Sequence, residues 1–269
     1  GDFLPTGTED GRIAFANWLT DHNNPYFAKA IVNRLWNSLM GRGLVEPLDD
    51  FRSTNPATHP SLLTRLAIDF IEHGYDVRHT LKVIAMSSSY GRTSIAVPGN
   101  ESDKRFYSHR LQTPHEPEVL ADAISDVLGI PGRYGNETIG TRAVELRDGA
   151  ISSDALDILG RCNRTNSCEG MPAPVGPLAQ KLHLFNGALL NDRIGAKGGR
   201  LDTLIEAEKN PVEIATTFYQ VALNRLPNPQ ETEFLDGLFN SERRAEQQRA
   251  ALEDFVWGLL TCKEFVIKH

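Results

Sequence analysis

The amino-acid sequence predicts a mostly α fold, a multi-helix globular bundle with long loops and little or no β-sheet. Three observations carry this. Apolar residues recur every three or four positions along most of the chain, the period of a helix with one buried face. Those stretches open on capping residues and prolines and close on glycines. Long alternating runs are missing from the sequence, and Thr138 to Leu146 is the one stretch that offers a short strand. Period and caps together predict roughly nine to eleven helices.

The clearest helix opens at Asn24-Pro25. Asparagine caps, and proline at the first helical position gives up an N–H that would lack a partner anyway. Phe27, Ile31, Leu35 and Leu39 follow at intervals of four, with Ala28, Val32 and Trp36 beside them, and Gly41 and Gly43 close the helix. His59-Pro60-Ser61 opens the next, which carries Leu62, Leu63, Leu66, Ala67, Phe70 and Ile71 and stops at Gly74. Asp76 caps a helix with Val77, Leu81, Ile84 and Ala85. Pro117 begins one with Leu120, Ala123, Ile124, Val127 and Leu128, ended by Gly129-Ile130-Pro131. Leu178, Leu182, Phe185 and Leu189 mark another. Asn210-Pro211 repeats the cap and proline ahead of Ile214, Phe218 and Val221. Pro229 starts a helix with Phe234, Leu235 and Leu238, and the last runs through Leu252, Phe255, Val256, Leu259, Leu260 and Phe265.

A length of 269 residues suits one large domain or two small ones. Loops concentrate at Ser87 to His115, Pro131 to Ser152 and Glu169 to Pro177, but no flexible linker stands out. A single all-α domain over residues 1–269 is therefore expected, with any subdivision falling near 131–152. The 28 Lys and Arg against 35 Asp and Glu give a net charge of −7, so no basic field points to nucleic acid or an anionic membrane. No apolar run approaches the ~20 residues of a membrane span. Gly1 to Pro5 resembles neither a signal peptide nor a targeting arm and reads as a domain boundary.

Candidate binding residues gather after the first proline-capped helix. Asn33, Arg34 and Trp36 share one helical turn, followed by Asp49, Asp50, Arg52 and His59. An arginine facing Asp49 or Asp50 forms a bidentate pair that fixes geometry well. One reading is a polar pocket for a sugar, a carboxylate or a divalent ion. The preferred one is an Arg–Asp network pinning a loop to a helix, because paired charges are mostly architectural unless a cleft accompanies them. Asp49 and Asp50 lack the spacing of a calcium loop, and adjacent residues point apart, which makes them a poor acid/base pair. No residue is assigned a catalytic role.

No metal or cofactor is assigned either. The eight histidines present no H-E-x-x-H face, and His73 and His79, flanking Gly74-Tyr75, read as cap and turn residues. A zinc site built from histidines distant in the chain is the minor alternative. Cys162 and Cys168 have neither haem-attachment nor zinc-ribbon spacing. A local disulfide between them and two free thiols both fit, while Cys262 reads as a buried free thiol in the last helix. Ser87 to Ser89 lack the context of a hydrolase elbow, and Lys197 and Arg200 among glycines read as a solvated loop.

The run Asn24 to Trp36, then Gly41 to Arg52, resembles the planctomycete secreted domain of unknown function, family 1553. Similar stretches are His59 to Tyr75, Ser87 to Tyr90, Arg161 to Cys168, Gln180 to Gly187 and Leu252 to His269, so the resemblance covers nearly the whole chain. Gly91 departs from it, standing where the family commonly has a polar residue, and the Cys162–Cys168 spacing is wider than usual. The resemblance implies a module of a larger secreted or periplasmic bacterial protein, often beside a c-type cytochrome domain. An extracytoplasmic compartment in turn favours the Cys162–Cys168 disulfide. It brings no established activity.

Three functions follow from this reading. The first is a non-catalytic helical interaction module that docks onto neighbouring domains of the same polypeptide or onto an extracellular glycan. The second is an uncharacterised hydrolase or carbohydrate-active enzyme using Arg34, Asp49, Asp50 and His59. The third is an accessory to a c-type cytochrome domain. The sequence leaves open whether the chain is an enzyme.

Overall fold

A computed structural model describes residues 10–21, 23–149, 151–161, 190–239 and 244–268. Among them the fold is mostly α, with twelve α-helical segments, one 3₁₀ turn, and a single sheet of two strands with two residues each, Thr113–Pro114 and Ile267–Lys268. The contacts divide the chain into two units that meet in sequence at Thr113 and Pro114. Residues 131–152, where the sequence offered a subdivision, lie within the second.

The first unit holds α1 (Gly11–Leu19), α2 (Phe27–Met40), α3 (Pro60–Glu72) and α4 (Val77–Ala85). The caps work largely as the sequence predicts. Asp76 Oδ1 accepts from the N–H groups of Arg78 and His79, and Asn24 Oδ1 from those of Tyr26 and Phe27, although α2 begins at Phe27, so Pro25 precedes the helix and does not occupy its first position. Gly41 ends α2 in the left-handed conformation at φ 77°. The core is built from Val32, Trp36 and Met40 of α2, Leu63, Leu66, Ala67 and Phe70 of α3, and Ile84 of α4, joined by Leu44, Val45 and Tyr107 from loops. The helix α1, which has no obvious apolar period in the sequence, buries none of its residues.

The second unit holds α5 (Pro117–Leu128), α6 (Asp154–Ile158), α7 (Asn191–Ile194), α8 (Arg200–Glu206), α9 (Pro211–Leu223), α10 (Pro229–Phe239), α11 (Ala245–Thr261) and α12 (Lys263–Val266). Its core is formed by Ile124 and Leu128 of α5, Leu201, Ile214, Phe218, Leu235, and Leu252, Val256 and Leu260 of α11. Asn210 Oδ1 accepts from Val212 N, the cap the sequence predicts.

Three expectations are corrected here. The stretch offered as a strand forms a 3₁₀ turn, Ala143–Glu145, because the buried carboxylate of Asp122 accepts from Ala143 N at 2.6 Å and Val144 N at 3.2 Å. Arg200 is no loop residue. It opens α8, and its guanidinium donates to the carbonyls of Val127 and Asp126, the last turn of α5. The terminal helix breaks at Cys262, whose extended backbone separates α11 from α12, and its thiol is half-buried and free. The helix expected at Leu178 to Leu189, and Cys162 and Cys168, lie outside the described residues.

Candidate functional site

The residues that the sequence singled out divide between two tasks. Asn33 is completely buried on α2, and its side chain grips the following loop in three places. Its Nδ2 donates to the carbonyls of Val45 and Leu48, each at 3.0 Å, and its Oδ1 accepts from Val45 N at 3.0 Å. Gly43 lets the loop come this close: a Cβ there would stand 2.5 Å from Val45 O and 3.0 Å from Asn33 Nδ2. Trp36, also buried, meets Tyr107 edge-on, with ring centroids 5.4 Å apart. Tyr107 Oη lies 2.7 Å from Gly43 O and 3.0 Å from Arg42 O, and burial pushes its phenol up to about 12. His59 tilts against Tyr107, with ring centroids 5.8 Å apart, and reaches Thr58 Oγ1 with Nδ1.

The charged residues of the set form two ion pairs nearer the surface, Asp50 being the least exposed of the four. Arg34 pairs with Asp49 at 2.6 Å, and Asp49 is two-thirds exposed. Arg52 takes both oxygens of Asp50, each at 2.6 Å, and this guanidinium holds the Asp50 carboxyl below the usual carboxylate range. The two aspartates are thus divided between two arginines. Arg52 is the one residue of the predicted set on the wall of a hollow of about 330 Å³ between the starts of α2 and α3. The sequence did not single out Tyr107, which lies in an aperiodic loop. Its left-handed backbone, at φ 57°, carries no sequence signal.

The larger hollow belongs to the second unit and involves none of those residues. It measures about 630 Å³ and is walled by Tyr219 and Leu223 of α9, Phe234 and Leu238 of α10, and Ala251, Phe255 and Leu259 of α11. Phe234 is 61% exposed, so the apolar wall is open to solvent. One end is fixed by Arg225, which bonds Glu231 and Glu264 at 2.7 Å and lies over the Tyr219 ring. Those two glutamates raise the Arg225 pKa above its ordinary value. Glu231, Asp254 and Glu264 against Arg225 make the rim acidic.

A third cluster joins His73 and His79, which the sequence presents as cap and turn residues, to Asp69, which the sequence does not single out. Among the described residues, Asp69, His73 and His79 form the one group of three whose potential ligand atoms lie within 4.8 Å of one another. His79 Nε2 is 2.9 Å from Asp69 Oδ2, and the two imidazoles stack with centroids 3.7 Å apart. The i, i+4 spacing of Asp69 and His73 on a predicted helix was the available signal.

Fold and site thus define a two-unit helical protein with an open apolar hollow and no shared pair of carboxylates among Asp49 and Asp50. The family described as "Protein of unknown function (DUF1553)" matches residues 11–239, most of the chain, and the chain belongs to that family. No curated protein and no solved structure matches it.

Proposed function

We propose that this chain is a helical interaction module of a larger extracytoplasmic bacterial protein, and that it docks a neighbouring domain of the same polypeptide in the open hollow of its second unit. The observation that carries this is the hollow walled by Tyr219, Phe234 and Phe255, with the Phe234 ring left uncovered inside an acidic rim. A cavity of this size and lining takes one face of an amphipathic helix, whose apolar residues displace water from the rings. The rim selects an occupant with basic residues beside its apolar stripe. A planctomycete source and a c-type cytochrome neighbour belong to the same reading, as does the Cys162–Cys168 disulfide.

The glycan and hydrolase readings draw less support. The hydrolase reading relies on Arg34, Asp49, Asp50 and His59 converging, whereas each aspartate faces its own arginine and His59 rests on Tyr107; the glycan reading shares the hollow with the proposed docking but leaves its acidic rim without a role. The test places a photo-crosslinking phenylalanine analogue at Phe234 in the full-length polypeptide. The expected product joins position 234 to an apolar segment outside these 269 residues, and Phe234→Glu weakens binding of that segment more than about tenfold, as loss of a central aromatic anchor does. Crosslinks confined to a second copy, or binding that Phe234→Glu leaves unchanged, would refute the proposal.

A further inference from the structure

We propose that Asp69, His73 and His79 form a binding site for a divalent first-row transition metal ion of the zinc type on the first unit. Tetrahedral zinc, with bonds of about 2.0–2.2 Å, holds its donors about 3.3 Å apart. Here His79 Nε2 lies 2.9 Å from Asp69 Oδ2, His73 Nδ1 lies 3.5 Å from Asp69 Oδ1, and one ligand atom from each residue lies within 4.8 Å of the others, so rotation of the two stacked rings about their side-chain bonds turns their lone pairs toward one ion. Two imidazole nitrogens and one carboxylate suit zinc, cobalt or nickel, whereas magnesium and calcium take oxygen ligands.

The backbone sets this geometry in advance. Asp69 and His73 stand one turn apart at the end of α3. Gly74 and Tyr75 follow in the left-handed conformation, at φ 64° and 62°, and turn the chain sharply into α4. Tyr75 is anchored there, with its N–H donating to Phe70 O at 2.8 Å and its ring against Phe27 and Phe70. The Asp76 cap then fixes the first turn of α4, which carries His79. The ion then has side-chain rotations to impose but no backbone ordering, which favours affinity. His73 Nδ1 is also 2.8 Å from the Asp69 carbonyl. Binding through Nδ1 requires this half-exposed ring to turn away from the carbonyl and give up that contact. All three side chains are partly open to solvent, so the ion can enter and at least one coordination position stays outward.

The test titrates the metal-stripped chain with ZnCl₂ by calorimetry, and with CoCl₂ by visible absorption, beside His73→Gln, His79→Gln and Asp69→Asn. One zinc ion per chain is expected, with a tetrahedral cobalt spectrum. Each histidine variant should weaken binding by at least about 100-fold, above the 10–100-fold cost of losing an outer-shell partner. Circular dichroism checks that each variant folds. The wild-type chain gives an answer that needs no variant: zinc should shift the ring-proton resonances of His73 and His79 together. No saturation by about 1 mM, the weak edge of specific binding, would overturn the proposal. So would saturable binding unaffected by both histidine variants, or zinc shifts confined to other histidines.

Discussion

Replacing Asn33 with alanine tests whether one buried amide organises the loop after α2. The side chain makes three hydrogen bonds to backbone groups of Val45 and Leu48, two residues that are themselves buried. Alanine removes all three at once and leaves a donor and two acceptors without their partner. At roughly 1–1.5 kcal/mol for each bond, the loss is about 3–4 kcal/mol. That is a large part of the 5–15 kcal/mol that ordinarily separates folded from unfolded chains, and it corresponds to a drop in Tm on the order of 10 °C. Asp49→Ala is the control. It breaks the ion pair that the same helix makes to the same loop, but at an exposed aspartate, where such pairs contribute about 1 kcal/mol or less. Urea unfolding followed by circular dichroism gives the two midpoints, and hydrogen exchange reads the amides of Leu44, Val45, Glu46 and Leu48. Asn33→Ala should unfold well before Asp49→Ala and lose protection at Val45. Equal midpoints, or unchanged exchange at Val45, would show that the loop holds its course without the amide.

Two further outcomes follow from the same neighbourhood. Gly43→Ala puts a methyl 2.5 Å from Val45 O and 2.6 Å from Leu48 Cδ2, and should cost about 1–3 kcal/mol by overpacking, read as a lower urea midpoint at unchanged slope. Tyr107 gives a pH signature. Its phenol is neutral in the fold up to about 12 but ionises near 10 when unfolded, so the unfolded chain loses its proton first. The Tyr107 contribution to stability is complete below pH 10 and falls as pH rises from 10 to about 12. Absorbance at 295 nm should show one tyrosine ionising last, and Tyr107→Phe should remove that step while Tyr134 and Tyr219, also raised by burial, remain.

What could be read from the sequence was local. Asp76 and Asn210 cap helices through atoms two or three residues away, and Gly41 and Gly129 end helices through their own φ, so each signal and its effect lie in one short window. Where the reading failed, the partner was distant. The 3₁₀ turn at Ala143–Glu145 depends on Asp122, about twenty residues earlier on another helix, and nothing inside Thr138 to Leu146 reports it. Arg200 caps α5 across more than seventy residues. Asn33 and Arg34 are adjacent and were grouped as one polar set, yet one is sealed in the core and the other reaches the surface. Rotation by one residue about a helix is enough to separate them.

The hollow and the histidine pair depend on distant partners more than the Arg–Asp pairs do. Phe234 sits in an apolar stripe that reads as core, and the stripe is broader than what α9 and α11 cover, so one ring of it faces water. An excess of apolar surface over available cover is a property of the assembled helices, and no single helix carries it. For Asp69, His73 and His79 the deciding fact is a two-residue turn. Had Gly74 and Tyr75 kept right-handed helical angles, α3 would have continued, and His79, ten residues after Asp69, would have lain nearly three turns up the helix at ~15 Å. The left-handed angles at Gly74 and Tyr75 reverse the chain instead and lay the two imidazoles face to face beside one carboxylate. Glycine announces such a turn, but tyrosine does not, since a bulky side chain rarely takes that conformation unless packing enforces it. Here Phe27 and Phe70 hold the Tyr75 ring, so the placement of the histidines rests on core contacts made by residues with no metal chemistry of their own.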